Sequence, residues 1–218
     1  MAVLPIIKFP DNRLRKRARK VKTIDRSIVR LADDMIETMH DAAGVGLAAI
    51  QVGVLKRVIV VQLPDDEEPR VYVNPEIVHR EGERFVEEGC LSFPGVVGTV
   101  TRSIWVRFRA LDLRSKLVRI KADSLLAQVL EHEVDHLNGI LYVDHLAEHE
   151  ELRPVPPPPP DGEGDDGDSS PFPHPEHRHG HPVGGIDAAA REAAKPETAG
   201  QETPDAERPD AEQRVPVA

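Results

Sequence analysis

Residues 123–139 read DSLLAQVLEHEVDHLNG, and the reading of this stretch decides the architecture. Leu125, Leu126, Val129, Leu130, Val134 and Leu137 recur at three- and four-residue steps, the period of an α-helix with one apolar face. Asp123 or Ser124 can cap its first turn, and Gly139 is a stop signal. His132 and His136 stand four apart and so share a helix face, where both imidazoles can reach one metal ion with Glu133 beside it. The plainer reading is a pair of hydrogen-bonded core histidines. With ten histidines in 218 residues, the H-E-x-x-H spacing alone does not decide between them.

Context adds a third donor. The only cysteine, Cys90, sits in Glu88-Gly89-Cys90-Leu91-Ser92. A lone cysteine usually just packs, and one alone rules out an intrachain disulfide, as suits a reducing compartment. Two histidines and a thiolate would nonetheless make the three-ligand set of a catalytic metal, with a fourth position left for water or substrate.

These residues bring the chain to a known family: it resembles peptide deformylase, which removes the N-formyl group from the initiator methionine of nascent proteins. Gly44-Val45-Gly46-Leu47-Ala48-Ala49-Ile50-Gln51 is similar to the family's first motif (G-x-G-x-A-A-x-Q). Residues 88–92 are similar to its second (E-G-C-L-S), and His132 to His136 to its third (H-E-x-D-H). The opening Pro5-Ile6, Phe9-Pro10-Asp11 and Leu14-Arg15 extend the resemblance over about residues 3 to 147.

The resemblance implies that Cys90, His132 and His136 bind one divalent metal and that Glu133 is the general acid/base acting on a metal-bound water. Gln51 and the backbone N–H of Leu91 would hold the formyl oxygen as negative charge grows on it. Val45, Leu125 and Val129 are candidates for the pocket of the methionine side chain, though ordinary core is the equal alternative. Gly46 and Gly89 would let an extended peptide approach the backbone. Arg102 matches a family arginine near the substrate, or is an exposed surface charge; Asp135 either orients a ligand or lies on the helix surface. Fe(II) would be the working ion, and Zn(II), Ni(II) and Co(II) also suit the donors. Formylmethionyl nascent peptides would be the substrates, with the ribosome near its exit tunnel as a partner. Glu131 stands where the family usually has glutamine, an extra carboxylate close to the metal. The rival enzymatic reading is a zinc endopeptidase, whose longer pattern needs a histidine where this chain has Tyr142. Asp144, His145 or Glu148 would then have to supply the third ligand. A non-enzymatic module that kept the fold for binding would have no use for Glu133 and Gln51.

The rest of residues 1–153 is mostly strand. Ile104, Val106, Phe108 and Ala110 alternate with Arg107 and Arg109, and Arg57 to Leu63 reads as a buried strand. Before them, Ile28, Leu31, Ala32, Met35 and Met39 have helical spacing, and Gly44 is the natural terminator. Strand runs ahead of a late helix indicate an α+β domain, antiparallel strands around a central metal-binding helix.

From Pro154 to Ala218 the composition changes. Five consecutive prolines, no leucine, and 14 acidic against 5 basic residues predict a disordered tail. Its His174, His177, His179 and His181 are a weak metal collector at most, and residues 188–194 could form a transient helical turn. The tail carries nearly all of the chain's net charge of −10, leaving residues 1–153 near neutral with 23 basic and 24 acidic side chains. Arg13, Arg15, Lys16, Arg17, Arg19, Lys20 and Lys22 form a basic run that can touch ribosomal RNA through phosphates or simply face solvent. Pro5 and Lys8 interrupt any signal-like apolar start, and no 18-residue apolar run occurs. The expectation is a cytoplasmic protein with neither a membrane nor DNA as partner.

Overall fold

The computed structural model describes residues 2–146 and 151–155. Glu148 and the tail expected from Pro154 lie outside that range, apart from the tail's first two residues.

Eight strands and two α-helices are present among the described residues. Strands β1 (Gly46–Ala48), β2 (Val58–Val61), β3 (Arg70–Glu81), β6 (Trp105–Leu111) and β7 (Leu117–Asp123) form one sheet in the order β1-β2-β3-β6-β7. Strands β4 (Arg84–Cys90), β5 (Phe93–Arg102) and β8 (Arg153–Pro154) form a second, in the order β4-β5-β8. Every strand pair is antiparallel, and the class is α+β.

Helix α1 (Arg26–Asp41) and helix α2 (Ser124–Asn138) explain why β2 is apolar at every position. Val58 and Val60 pack with Ile28, Met35 and Met39 of α1. Ile59 and Val61 pack with Ala127, Leu130, Val134 and Leu137 of α2. Successive strand residues point to opposite faces, so a strand covered on both sides must be apolar throughout. The β6 pattern differs as its neighbours do: Val106, Phe108 and Ala110 are buried, whereas Arg107 and Arg109 are exposed. Ile104 falls before the strand and is 42% exposed, outside the alternation expected of it.

The helix ends depart from the sequence reading. Asp25, not a residue of the apolar pattern, starts α1 by accepting from the N–H groups of Ser27 and Ile28. Neither Asp123 nor Ser124 caps α2 with its side chain, because Asp123 still belongs to β7, paired with Trp105, and Ser124 turns the corner at φ +48°. Gly44 does not terminate α1. Ala43 takes the left-handed conformation instead (φ +50°), and the N–H groups of Ala43 and Gly44 bond the carbonyls of His40 and Met39.

The same pair of bonds closes α2: Gly139 bonds back to His136 and Ile140 to Asp135, both at 3.0 Å, with Gly139 at φ +78°. A Cβ on Gly139 would stand 2.4 Å from the Arg15 carbonyl oxygen, so both conformation and space require glycine there. Gly139→Ala should therefore destabilise the fold by roughly 2–4 kcal/mol, whereas Ala43→Gly, at an exposed left-handed position, should be neutral or stabilise by up to about 1 kcal/mol. Denaturant unfolding of both variants measures the contrast, and equal effects would contradict this reading of the two helix ends.

Candidate metal centre

The site forms where the end of β4 meets the middle of α2. Cys90 is the last residue of β4, and the β4–β5 register shifts between Gly89 and Cys90, where the hairpin turns. His132 and His136 extend from adjacent turns of α2, with ring centroids 4.9 Å apart. The donor atoms of Cys90, His132 and His136 all lie within 4.8 Å of one another, and Cys90 Sγ is 3.2 Å from His136 Nε2. Three donors on two elements, more than 40 residues apart in sequence, thus converge on one point.

Two of the donors are held by neighbours, whereas the buried Nδ1 of His136 has no hydrogen-bond partner among the described residues. His132 Nδ1 lies 2.9 Å from Glu88 Oε2, which fixes the ring and leaves its other nitrogen for the site. The Ser92 N–H and the Gln51 amide approach Cys90 Sγ at 3.4 and 3.7 Å. Burial alone would raise the Cys90 thiol, but His136 and His132 outweigh it and bring the pKa to about 5, so the sulfur is a thiolate. Burial likewise opposes a charge on His132, yet Cys90 and Glu88 raise its pKa well above the usual imidazole value. A buried thiolate facing two imidazoles is a donor set that fits a single borderline-soft divalent ion.

Glu133 lies beside these donors and is 3% exposed. Burial pushes its pKa up to about 7, against the pull of both histidines. Its Oε2 is buried and has no hydrogen-bond partner among the described residues. A Cβ on Gly46 would fall 2.6 Å from Glu133 Oε1, so the first motif's second glycine makes room for this carboxylate. Gln51 is equally constrained. Its Oε1 accepts the Ala48 N–H at 2.8 Å, which turns the amide N–H groups toward Cys90 and Ser92.

The first residues of the chain lash these parts together. Ile7 N–H donates to the Gln51 carbonyl at 2.7 Å and Phe9 N–H to that of Ser92 at 2.9 Å, while Lys8 Nζ donates to the Leu91 carbonyl at 2.6 Å. One short segment therefore sets the first motif against the second.

A pocket with about 430 Å³ of atom-free space opens on the centre. Val45, Gly46, Gly89, Leu91, Leu125 and Val129 line it, together with Cys90, His132, Glu133 and Gln51. Gln128, passed over in the sequence, also lines it, and donates to the Glu87 carbonyl at 3.0 Å. The signal was available, since Gln128 stands three residues after Leu125 and four before His132 on one helix face.

Arg102 does not line this pocket, and it is not exposed. It is 4% accessible and enclosed by carboxylates: Nε and Nη2 donate to Glu88 at 2.8 and 3.0 Å, and Nη1 to Asp135 at 2.5 Å. Asp135 is correspondingly buried rather than on the helix surface, with His145 Nε2 at 2.9 Å on its other side. Burial opposes ionisation of Glu88, but His132 and Arg102 together hold its pKa at about 2. Glu131 turns away from the metal donors. It accepts from the Ser103 N–H and hydroxyl at 2.9 and 3.1 Å and from Arg80 at 2.7 Å. The alternative third ligands of an endopeptidase among the described residues are engaged elsewhere as well: Asp144 by Arg15 and the Leu141 N–H, His145 by Asp135. Tyr142, where that pattern needs a histidine, is buried, with its hydroxyl 3.4 Å from the Val96 carbonyl.

The sequence and the fold have close counterparts. The family model described as polypeptide deformylase matches residues 3–151. A peptide deformylase of Dehalococcoides mccartyi is 52% identical over 157 residues, covering 72% of this chain and 94% of its own. The crystal structure of a peptide deformylase from Legionella pneumophila superposes with a TM-score of 0.65 at 50% identity, covering 67% of this chain and 87% of that one. The structure of an Acinetobacter baumannii class I type b peptide deformylase bound to Met-Ala-Ser gives a TM-score of 0.64 at 37% identity, covering 66% of this chain and 99% of that one. With agreement in sequence and architecture across the whole described domain, the chain belongs to the polypeptide deformylase family.

Proposed function

We propose that this protein hydrolyses the N-formyl group from the amino-terminal formylmethionine of nascent polypeptides, releasing formate. The observation that carries the reading is the convergence of Cys90, His132 and His136 within 4.8 Å at a pocket that also holds a buried Glu133 and an oriented Gln51. In this reading the three donors hold one divalent metal, Fe(II) in the cell, with Zn(II), Ni(II) or Co(II) as alternatives. Bound there, the metal supplies Lewis acidity, polarising the formyl carbonyl and making water easier to deprotonate.

The chain's own residues do the remainder. Glu133 accepts the proton of the attacking water at its carboxylate and delivers it to the amine nitrogen as the formyl C–N bond breaks, the products being formate and a free amino terminus. Its pKa of about 7 suits both halves of that transfer. Gln51, its carbonyl oxygen fixed by Ala48, offers amide N–H to the oxygen on which charge develops, and the Leu91 N–H is the second donor. Glu88, backed by Arg102, keeps the His132 ring oriented.

Substrate binding divides between backbone and pocket. Strands β1 and β4 are edge strands of their two sheets, and they bring Gly46 and Gly89 to the pocket. An extended peptide can pair with such edges irrespective of its sequence. Val45, Leu125 and Val129, joined by Gln128, would enclose the methionine side chain. The Met-Ala-Ser seated in the Acinetobacter relative supports a methionine-first peptide as ligand.

The same reading assigns 1–153 to the deformylase domain and 154–218 to an acidic, proline-rich tail, and places the protein in the cytoplasm beside the ribosome. No helix among the described residues is long and apolar enough to cross a membrane.

Protein purified anaerobically with Fe(II) should release formate from formyl-Met-Ala-Ser and leave acetyl-Met-Ala-Ser intact. Glu133→Ala should lower kcat by about 100- to 10,000-fold with metal content unchanged, and Gln51→Ala by about 100-fold. Cys90→Ala should lose the metal, as measured by elemental analysis after gel filtration. Full activity in Glu133→Ala would remove the proposed acid/base, and undiminished metal in Cys90→Ala would remove the proposed ligand set.

A further inference from the structure

The basic run near the amino terminus plays no part in the site described above, and the fold gives it a definite form. Its backbone is pinned along its length. Ala18 N–H bonds the Leu137 carbonyl at 2.9 Å, Arg19 N–H bonds Leu55 at 3.0 Å, and the Arg19 carbonyl accepts from Arg57 at 2.9 Å. The Asn74 side chain then bonds both the N–H and the carbonyl of Val21, at 2.8 and 2.9 Å. The peptide groups of Ala18, Arg19 and Val21 are bonded, and Arg17, Arg19, Lys20 and Lys22 are left exposed on a fixed ledge.

Two grooves flank the ledge and share Lys20, with about 1010 and 950 Å³ of atom-free space. Arg17, Arg57 and Arg80 line one; Arg19, Lys22 and Lys56 line the other. Glu76 is the one acid in either lining, and it is already divided between Lys20 at 2.8 Å and Arg109 at 2.6 Å. Among the described residues, Arg17, Arg19, Lys22 and Lys56 have no carboxylate within ion-pairing distance.

Arg57 is a second, independent sign of uncompensated charge. It is 7% exposed, and its guanidinium bonds only neutral groups: Asn138 Oδ1 at 2.9 Å and the carbonyls of Pro75 and Leu137 at 2.8 and 3.4 Å. Its Nε is buried with no partner among the described residues. Burial lowers its pKa, with Glu76 acting against that shift and Arg17 with it. With Lys20 paired to Glu76 and Arg80 to Glu131, the cations on this face without a carboxylate partner among the described residues are Arg17, Arg19, Lys22, Lys56 and Arg57. The face shares no residue with the lining of the metal-site pocket, so a ligand there leaves that pocket open.

We propose that this face is an RNA-docking surface that holds successive backbone phosphates along the two grooves. Neither lining contains an aromatic side chain, so the contact is with phosphates and does not read bases. The choice of RNA rests on the reading of the substrate as a nascent chain, which emerges from a machine built of RNA. Because the whole chain carries a net charge of −10, attraction of a polyanion has to come from this local field.

The test uses the full chain and a fluorescein-labelled, mixed-sequence 20-nucleotide RNA, followed by fluorescence anisotropy from about 50 to 200 mM KCl, where phosphate contacts are strongly salt-dependent. The triple variant Arg17→Glu/Arg19→Glu/Lys22→Glu should bind at least about tenfold more weakly and lower the salt slope by about 2, near 0.7 per lost phosphate contact. A control with the same charge change elsewhere, Arg107→Glu/Arg114→Glu/Arg119→Glu, should retain binding. Formate release from free formyl-Met-Ala-Ser, measured on the same preparations, should be unchanged in both variants, which keeps the catalytic reading and the docking proposal separately testable. Three results would overturn the proposal: no RNA binding at about 50 mM KCl, an equal loss in the control variant, or binding to vesicles containing anionic phospholipid without binding to RNA.

Discussion

A buried arginine between two buried carboxylates joins the two pieces of chain on which the site is divided. Glu88 lies on the hairpin that carries Cys90, Asp135 lies on the helix that carries both histidines, and Arg102 bonds each of them. Charges so far from water are tolerated only when paired and hydrogen-bonded, and removing one partner leaves the others stranded at a cost of about 3–5 kcal/mol. The pairing therefore acts as a geometric lock. It fixes hairpin against helix, and through Glu88 it sets the ring of His132 at the distance from Cys90 that a shared ion needs.

The balance of charge in that lock bears on what the centre holds. Glu88, Asp135 and the Cys90 thiolate contribute three negative charges and Arg102 one positive. Asp135 also faces His145, and the negative charge that remains beside Cys90 and Glu88 favours a cation between the two site histidines. A divalent ion meets it with both imidazoles neutral and coordinating, which is the protonation state that metal binding requires. Burial raises the pKa of Glu133 beside this cluster, with Cys90 and Glu88 adding to the shift and the two histidines opposing it. One pocket thus holds a thiolate and a carboxylate whose pKa burial has raised.

How much of this was legible in the sequence depended on how local the cause was. Helix α2 was visible because its apolar period is a property of consecutive residues, and the shared face of His132 and His136, with Glu133 beside it, followed from the same geometry. The buried run in β2 was equally plain, since apolar residues on both faces of a strand imply cover on both. Cys90 was a candidate third donor on its chemistry, and the family resemblance put it with the histidines; nothing in the intervening residues says that β4 ends against α2. Neither reading of Arg102, beside the substrate or exposed on the surface, anticipated its burial between two carboxylates, because those partners lie 14 and 33 positions away. Glu131 was misjudged for the opposite reason. It adjoins His132 in sequence, but one helical residue rotates the side chain by about 100°, enough to face Ser103 and Arg80 instead of the metal donors. At the end of α1 the rule that glycine takes the left-handed position pointed to Gly44, one residue beyond where the chain turns.

The division of the pocket between two sheet edges and one helix face has a consequence for selectivity. Edge strands offer main-chain hydrogen bonds that any peptide can satisfy, so they add affinity without selecting residues. In the proposed reading, selection comes from side chains that enclose one position, and Leu125, Gln128 and Val129 of α2, with Val45 and Leu91, line that part of the pocket. On that wall Gln128 places an amide among Leu125 and Val129, tied at one end to the Glu87 carbonyl of the edge strand. The residue that shapes the side-chain pocket is thereby coupled to the backbone along which the peptide would lie. In the proposed reading, tolerance for the rest of the nascent chain and discrimination at its first residue are separate properties. They meet at the hydrogen bond between Gln128 and β4.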